Sequence, residues 1–127
     1  MQILVDKGLE FGDHPGLGLI KGECSKIDVT NNGLRLPHVG WNEVDYKTGN
    51  PLFKGIGSSS SFYFVHSYEV ICKDNQNNIA SCEYGKTITA AVQDKNIFGV
   101  QFHPEKSQTD GLRLLKNFCE LEMNSNA

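Results

Sequence analysis

The chain has 127 residues, 39% hydrophobic and 21% charged, with a formal net charge of -3. That size and balance fit one globular domain around a single core and exclude compositional disorder. With no block of Lys or Arg, the charge offers no electrostatic footprint for nucleic acid or an anionic membrane.

The start, "MQILVDKGLEFG", carries acidic residues and glycines where a signal peptide needs a basic flank and an unbroken apolar stretch. No apolar run approaches the roughly 18 residues of a spanning helix, so a cytoplasmic protein is expected. To about Gly57 the chain is glycine-rich, and loops are expected to dominate. "GDHPGLGLIKGECSKIDV" predicts a turn around His14 to Gly16 and a strand over Leu19 to Val29, and "TNNG" predicts a hairpin turn, because Asn-Gly accepts positive φ. The spacing of Gly16, Gly18 and Gly22 is wrong for a dinucleotide fingerprint, and no strand-turn-helix context surrounds it.

Short strands and turns alternate after that. "SFYFVHSYEVIC" predicts one strand from Phe62 to Cys72, "DNQNN" a turn, "IASCEY" a returning strand, "GK" a turn and "TITAAV" another return, which together read as an antiparallel meander. "IFGVQF", Ile97 to Phe102, is apolar on both parities and predicts a strand buried on both faces. A helix closes the chain. Ser107 with Asp110 resembles a capping box, and Leu112, Leu115, Phe118 or Cys119, and Glu122 or Met123 fall at helical spacing.

The four cysteines, Cys24, Cys72, Cys82 and Cys119, form no C-x-x-C pair, and the four histidines, His14, His38, His66 and His103, include no pair spaced for one helix face. Reduced structural thiols are expected, with no metal site and no cofactor.

"VQFHPEKSQ", Val100 to Gln108, is the stretch that carries chemistry. Proline fixes its own φ and pushes the preceding residue out of the helical region, so His103 and Pro104 are expected to be extended. Residues two apart in an extended segment project to one side, which brings Glu105 within reach of His103. Two readings fit. In one, the carboxylate fixes the imidazole tautomer while the other ring nitrogen acts as a general base; in the other, a surface histidine sits beside an exposed glutamate at a helix entry.

Four blocks in order, "GLGLIKG", "LPHVGWNEV", "YFVHSYEV" and "NIFGVQFHPEKSQTDGLRLLKNF", resemble the class I glutamine amidotransferases, and within them the glutaminase subunits of imidazole glycerol phosphate synthase. The resemblance covers nearly the whole chain. It implies an α/β fold with a mixed sheet, an antiparallel meander and a C-terminal helix. It also implies a Cys-His-Glu triad whose histidine and glutamate are His103 and Glu105, and the release of ammonia from glutamine to a (β/α)8-barrel cyclase in histidine biosynthesis. The family's nucleophile lies on a G-x-C-x-G elbow followed directly by Met-Gln, so Met1 and Gln2 align just after it. Residues 1–127 are accordingly expected to be the C-terminal portion of one amidotransferase domain that lacks the nucleophile and the oxyanion loop, and to be inactive alone. None of the four cysteines has the exposed turn that holds a reactive thiolate.

Other positions carry over motif by motif. Gln2 and Glu10 match glutamine contacts on the family's post-elbow helix, a solvated helix-end charge being the competing reading for Glu10. His66, Ser67 and Tyr68 match a strand whose backbone holds the substrate. Pro37, Trp41 and Asn42, with Tyr63 and Lys106, match the surface facing the cyclase. Trp41, the only tryptophan, is read as an interface anchor in a loop-like stretch rather than a core residue. Two further readings are a paralogue serving surface-sugar amidination and a noncatalytic remnant that docks on a synthase barrel.

Overall fold

The computed structural model describes residues 1–30 and 33–125, with side chains described through Leu121. The strands are Val5–Gly8 (β1), His14–Pro15 (β2), Ile20–Lys26 (β3), His38–Glu43 (β4), Asp45–Tyr46 (β5), Ser61–His66 (β6), Tyr68–Cys72 (β7), Asn78–Glu83 (β8), Thr87–Asp94 (β9) and Ile97–Val100 (β10), followed by helix α1, Gln108–Ser125. They form sheets of order β2-β1-β3-β7 and β10-β9-β8-β5 and a two-stranded β4-β6 ribbon. Only β1 and β3 run parallel among the pairs described, so the sheet is mixed, as expected.

Period-two patterning sets β6. Phe62, Phe64 and His66 face inward and Ser61, Tyr63 and Val65 outward. The larger core packs Phe62 and Phe64 with Ile88, Ala90, Phe102 and Leu114, and a smaller one gathers Val5, Ile20, Cys24, Val70 and Val92. Phe102 contacts both aromatic rings, at centroid distances of 4.3 Å to Phe62 and 5.7 Å to Phe64. The residue just before His103 is therefore anchored in the centre of the domain.

Several expectations from the sequence are corrected. The stretch Phe62–Cys72 is two strands broken at Ser67: β6 pairs with β4 and β7 with β3, so the halves belong to different sheets. The meander is β8-β9-β10 instead. The strand buried on both faces is β9, flanked by neighbours on either side, whereas β10 is half-buried at a sheet edge. The first 57 residues hold five strands rather than mostly loops, and Pro37–Asn42 is largely strand. Residues 2–10 form a short 3-10 turn and β1, not a helix; a segment with Gly8 and no side-chain cap is too short and too weak to hold a helix alone. The expected turn at Asn31 and Asn32 lies outside the described residues, as do the side chains of Glu122 and Met123.

Helix α1 buries a different face from the one expected. Leu112, Leu115 and Phe118 are exposed, while Gly111, Leu114 and Asn117 face inward. Asn117 is accommodated because its amide donates to the carbonyls of Leu52, at 2.9 Å, and Lys54, at 2.8 Å, leaving the buried polar group satisfied. Gly111 lies where an added Cβ would stand 1.9 Å from the Pro104 carbonyl oxygen. Only glycine lets the helix approach the His103 turn this closely.

Candidate functional site

The sequence positions His103 just beyond the strand pairing. Gln101 still donates to Ala90 O at 2.8 Å, and His103 N donates to Tyr63 O at 2.9 Å, tying the turn to β6. His103 is extended, at φ -98 and ψ 99, as a residue before proline should be. Pro104, expected to be extended as well, instead opens a 3-10 turn, Pro104–Lys106. That turn, rather than strand alternation, brings Glu105 Oε1 to 2.8 Å from His103 Nδ1. Hydrogen bonds from its own amide and from the imidazole hold the exposed Glu105 carboxyl below its usual range. The ionised carboxylate accepts the Nδ1 proton, leaving Nε2 with a free lone pair.

Ser107 secures this geometry. Its buried hydroxyl donates to His103 O at 2.6 Å and accepts from Tyr63 N at 3.0 Å. The hydroxyl thus clasps the turn to β6, and the anticipated capping box with Asp110 is not the role it plays.

Gln2, Glu10, His66, Ser67, Tyr68 and His103 line one cleft of about 640 Å³, which Pro37 also borders. The six come from opposite ends of the chain. Gln2 Nε2 donates to Tyr68 O at 3.1 Å and Gln101 Oε1 at 3.0 Å, which fixes its amide over the cleft wall. No cysteine lines this cleft. Burial, aided by Glu10, pushes the Cys24 thiol up to about 11, and burial pushes Cys82 up to about 12, so neither is a ready thiolate. Among the described residues no cluster of three or more His, Cys, Asp or Glu is placed to hold a metal, and no helix is long and apolar enough to cross a membrane.

Beside the cleft, β4 and β6 present two contrasting faces. Outward, Trp41 is 51% exposed and meets Tyr63 edge-on at 5.9 Å, with Lys106 Nζ 5.8 Å from the Tyr63 ring centre and Val39 and Val65 exposed alongside. The expected interface residues Trp41, Tyr63 and Lys106 thus form one apolar patch with a cationic edge. Asn42 turns inward instead, donating to Glu83 O at 2.8 Å.

Inward lies a group that the motifs did not mark. His38, sandwiched between Phe64 and Tyr84, places Nδ1 2.8 Å from His66 Nε2. Its only signal in the sequence is parity, since His38, Gly40 and Asn42 share the strand face opposite Val39 and Trp41. Burial, reinforced by His66, lowers the His38 pKa to about 4, and burial lowers that of His66 as well. The unfolded chain takes up protons near pH 6.5 that the folded one refuses, so stability is full above that pH and falls as pH drops toward about 4. Each imidazole kept neutral costs about 1.4 kcal/mol per pH unit in that window. Urea midpoints measured from pH 7 to 4.5 should fall accordingly, and less steeply for His38→Phe; equal slopes would remove His38 as the cause.

A sequence model of the family Glutamine amidotransferase class-I matches residues 1–121. The chain is 46% identical over 121 residues to the imidazole glycerol phosphate synthase subunit HisH of Pelagibacter ubique, covering 95% of this chain and 58% of that protein. It is 46% identical over 119 residues to the HisH subunit of Rhodospirillum rubrum, covering 93% and 56%. The chain therefore spans less than three fifths of the length of these relatives. Among solved structures, a GMP synthase subunit from Thermoplasma acidophilum matches with a TM-score of 0.62 at 19% identity, over 84% of this chain and 53% of that one, a likeness of fold. With a family match that runs from Met1 to Leu121 and a mixed sheet ending in a helix, the chain belongs to the class I glutamine amidotransferases.

Proposed function

We propose that residues 1–127 are the C-terminal portion of a cytoplasmic amidotransferase domain that hydrolyses glutamine and passes ammonia to a cyclase subunit in histidine biosynthesis. The observation that carries this reading is the His103–Glu105 pair on the cleft, with His103 Nε2 free to take a proton. A cysteine nucleophile supplied upstream of Met1 would give up its thiol proton to Nε2, attack the glutamine carboxamide and release ammonia as His103 returns the proton to the leaving amine. Gln2, Glu10 and the backbone of His66 to Tyr68 would hold the substrate. The HisH relatives supply the choice of pathway.

The test is to express this sequence behind a family N-terminal part carrying a G-x-C-x-G elbow, pair it with a histidine-pathway cyclase, and follow glutamate release and product formation. Glutamine-dependent product supports the reading. Product formed with ammonium salts but not glutamine would favour a noncatalytic docking role, the reading to which the cysteine-free cleft lends weight.

The Trp41 patch would be the cyclase-facing surface, with Pro37, Asn42, Tyr63 and Lys106 around it. Trp41→Ala is expected to weaken cyclase binding by about 2 kcal/mol or more while changing stability less, because a half-exposed aromatic contributes mostly where it is later buried. Calorimetric titration of the cyclase beside a thermal melt checks it; a variant that mainly loses stability would make Trp41 a packing residue.

A further inference from the structure

Two carbonyl oxygens fix the direction of a buried chain of hydrogen bonds. Glu83 O can only accept, so Asn42 Nδ2 faces it as a donor, and the same amide nitrogen lies 3.2 Å from His38 Nε2. His38 Nε2 is then an acceptor and its Nδ1 carries the proton given to His66 Nε2 at 2.8 Å. His66 in turn donates from Nδ1 to Tyr68 O at 2.9 Å. Both imidazoles are neutral Nδ1–H tautomers, and every link points from Asn42 toward Tyr68. A proton on either Nε2 would set two donors against each other. The far end of the chain is Tyr68 O, whose other partner is Gln2 Nε2.

We propose that His38 and His66 are positioning residues: a neutral relay that holds the Ser67 bend and the Tyr68 carbonyl, and through it the Gln2 amide, in the geometry that binds glutamine. The inference rests on the glutaminase reading of the cleft and adds to it a requirement for one tautomer at two buried histidines. His38 touches no cleft atom and lies outside the cleft lining, so it acts only through His66. The break at Ser67 has the same origin. His66 faces inward from β6 while Tyr68 already pairs with Lys26 in β7, and the His66-to-Tyr68 bond closes the corner between the two sheets. The titratable groups packed on the pair are Tyr84, stacked on His38 with its hydroxyl committed to Arg35 O, and Glu69, held by Lys86 at 2.8 Å.

The experiment uses the elbow-containing protein with its cyclase and compares His38→Phe with His38→Asn. Phenylalanine keeps the stack between Phe64 and Tyr84 and removes both hydrogen bonds; asparagine keeps a donor near the Nδ1 position. His38→Phe is expected to raise KM for glutamine tenfold or more with kcat within about threefold, and His38→Asn to return KM to within about threefold of the unsubstituted protein. An unchanged KM in folded His38→Phe, a parallel loss of kcat, or an asparagine variant as damaged as phenylalanine would overturn the relay. Nitrogen-15 spectra of the unsubstituted protein at pH 7 give a readout independent of folding defects: both buried imidazoles should be neutral with protonated Nδ1, and an Nε2–H form or an imidazolium at either would also overturn it. If the unsubstituted protein does not hydrolyse glutamine, the function reading fails while these spectra still decide the relay.

Discussion

Replacing His103 by alanine in the elbow-containing protein is expected to lower glutamine turnover by about three orders of magnitude or more, the loss typical when the base of a nucleophile-base pair is removed. The fold should be indifferent, because the His103 imidazole is partly exposed and its backbone anchors survive the change: the bonds to Tyr63 and Ser107 use main-chain atoms of residue 103. Labelling by a glutamine-analogue electrophile should fall with turnover while the melting temperature stays within a degree or two. Glu105→Ala should cost less, since it removes orientation of the imidazole and leaves the base itself. Full labelling in His103→Ala would place the general base elsewhere.

The polypeptide of residues 1–127 by itself is expected to show no measurable glutaminase activity. A His-Glu pair can activate a nucleophile but cannot replace one, and the cleft holds no cysteine. Cys119 is exposed, but it sits in helix α1 and not on the cleft. The same polypeptide should self-associate at micromolar concentration. The outer edge of β10 has no partner strand among the described residues, and Leu112 and Leu115 lie exposed on α1, features that favour edge pairing and apolar contact. Sedimentation and a glutamate assay on one preparation check both points. Robust hydrolysis, or electrophile labelling at Cys24, would show that the nucleophile lies within the chain.

What the sequence made legible was local. The alternation in β6, the strands β8 and β9, the C-terminal helix and the proximity of His103 to Glu105 all follow from periods of a few residues and from one proline. What it hid was set by tertiary context. Nothing in "FYFVHSYEVIC" marks Ser67 as a break, because both halves favour strand and only their different partners separate them. The buried face of α1 was hidden because a polar residue, Asn117, sits at its centre, while leucines two residues before and five before it face outward. The expected post-elbow helix gave way to β1 because Val5 finds a core with Ile20 and Val70, and burial outweighs weak helical preference. Gln2, Glu10 and His66 to Tyr68 entered by family likeness, and the cleft then brought them together with His103, although no spacing in the sequence links residue 2 to residue 103.

The four histidines divide into two sealed and two open, which gives the chain an order of chemical vulnerability. An acylating reagent for imidazoles meets exposed His14 and the free Nε2 of His103 first, whereas His38 and His66 stay shielded for as long as the β4-β6 ribbon is closed. Early acylation therefore reports on the cleft, with His14 as an internal reference. Late acylation becomes a clock for local opening of the ribbon, since each interior imidazole can react only in the fraction of molecules that has come apart there.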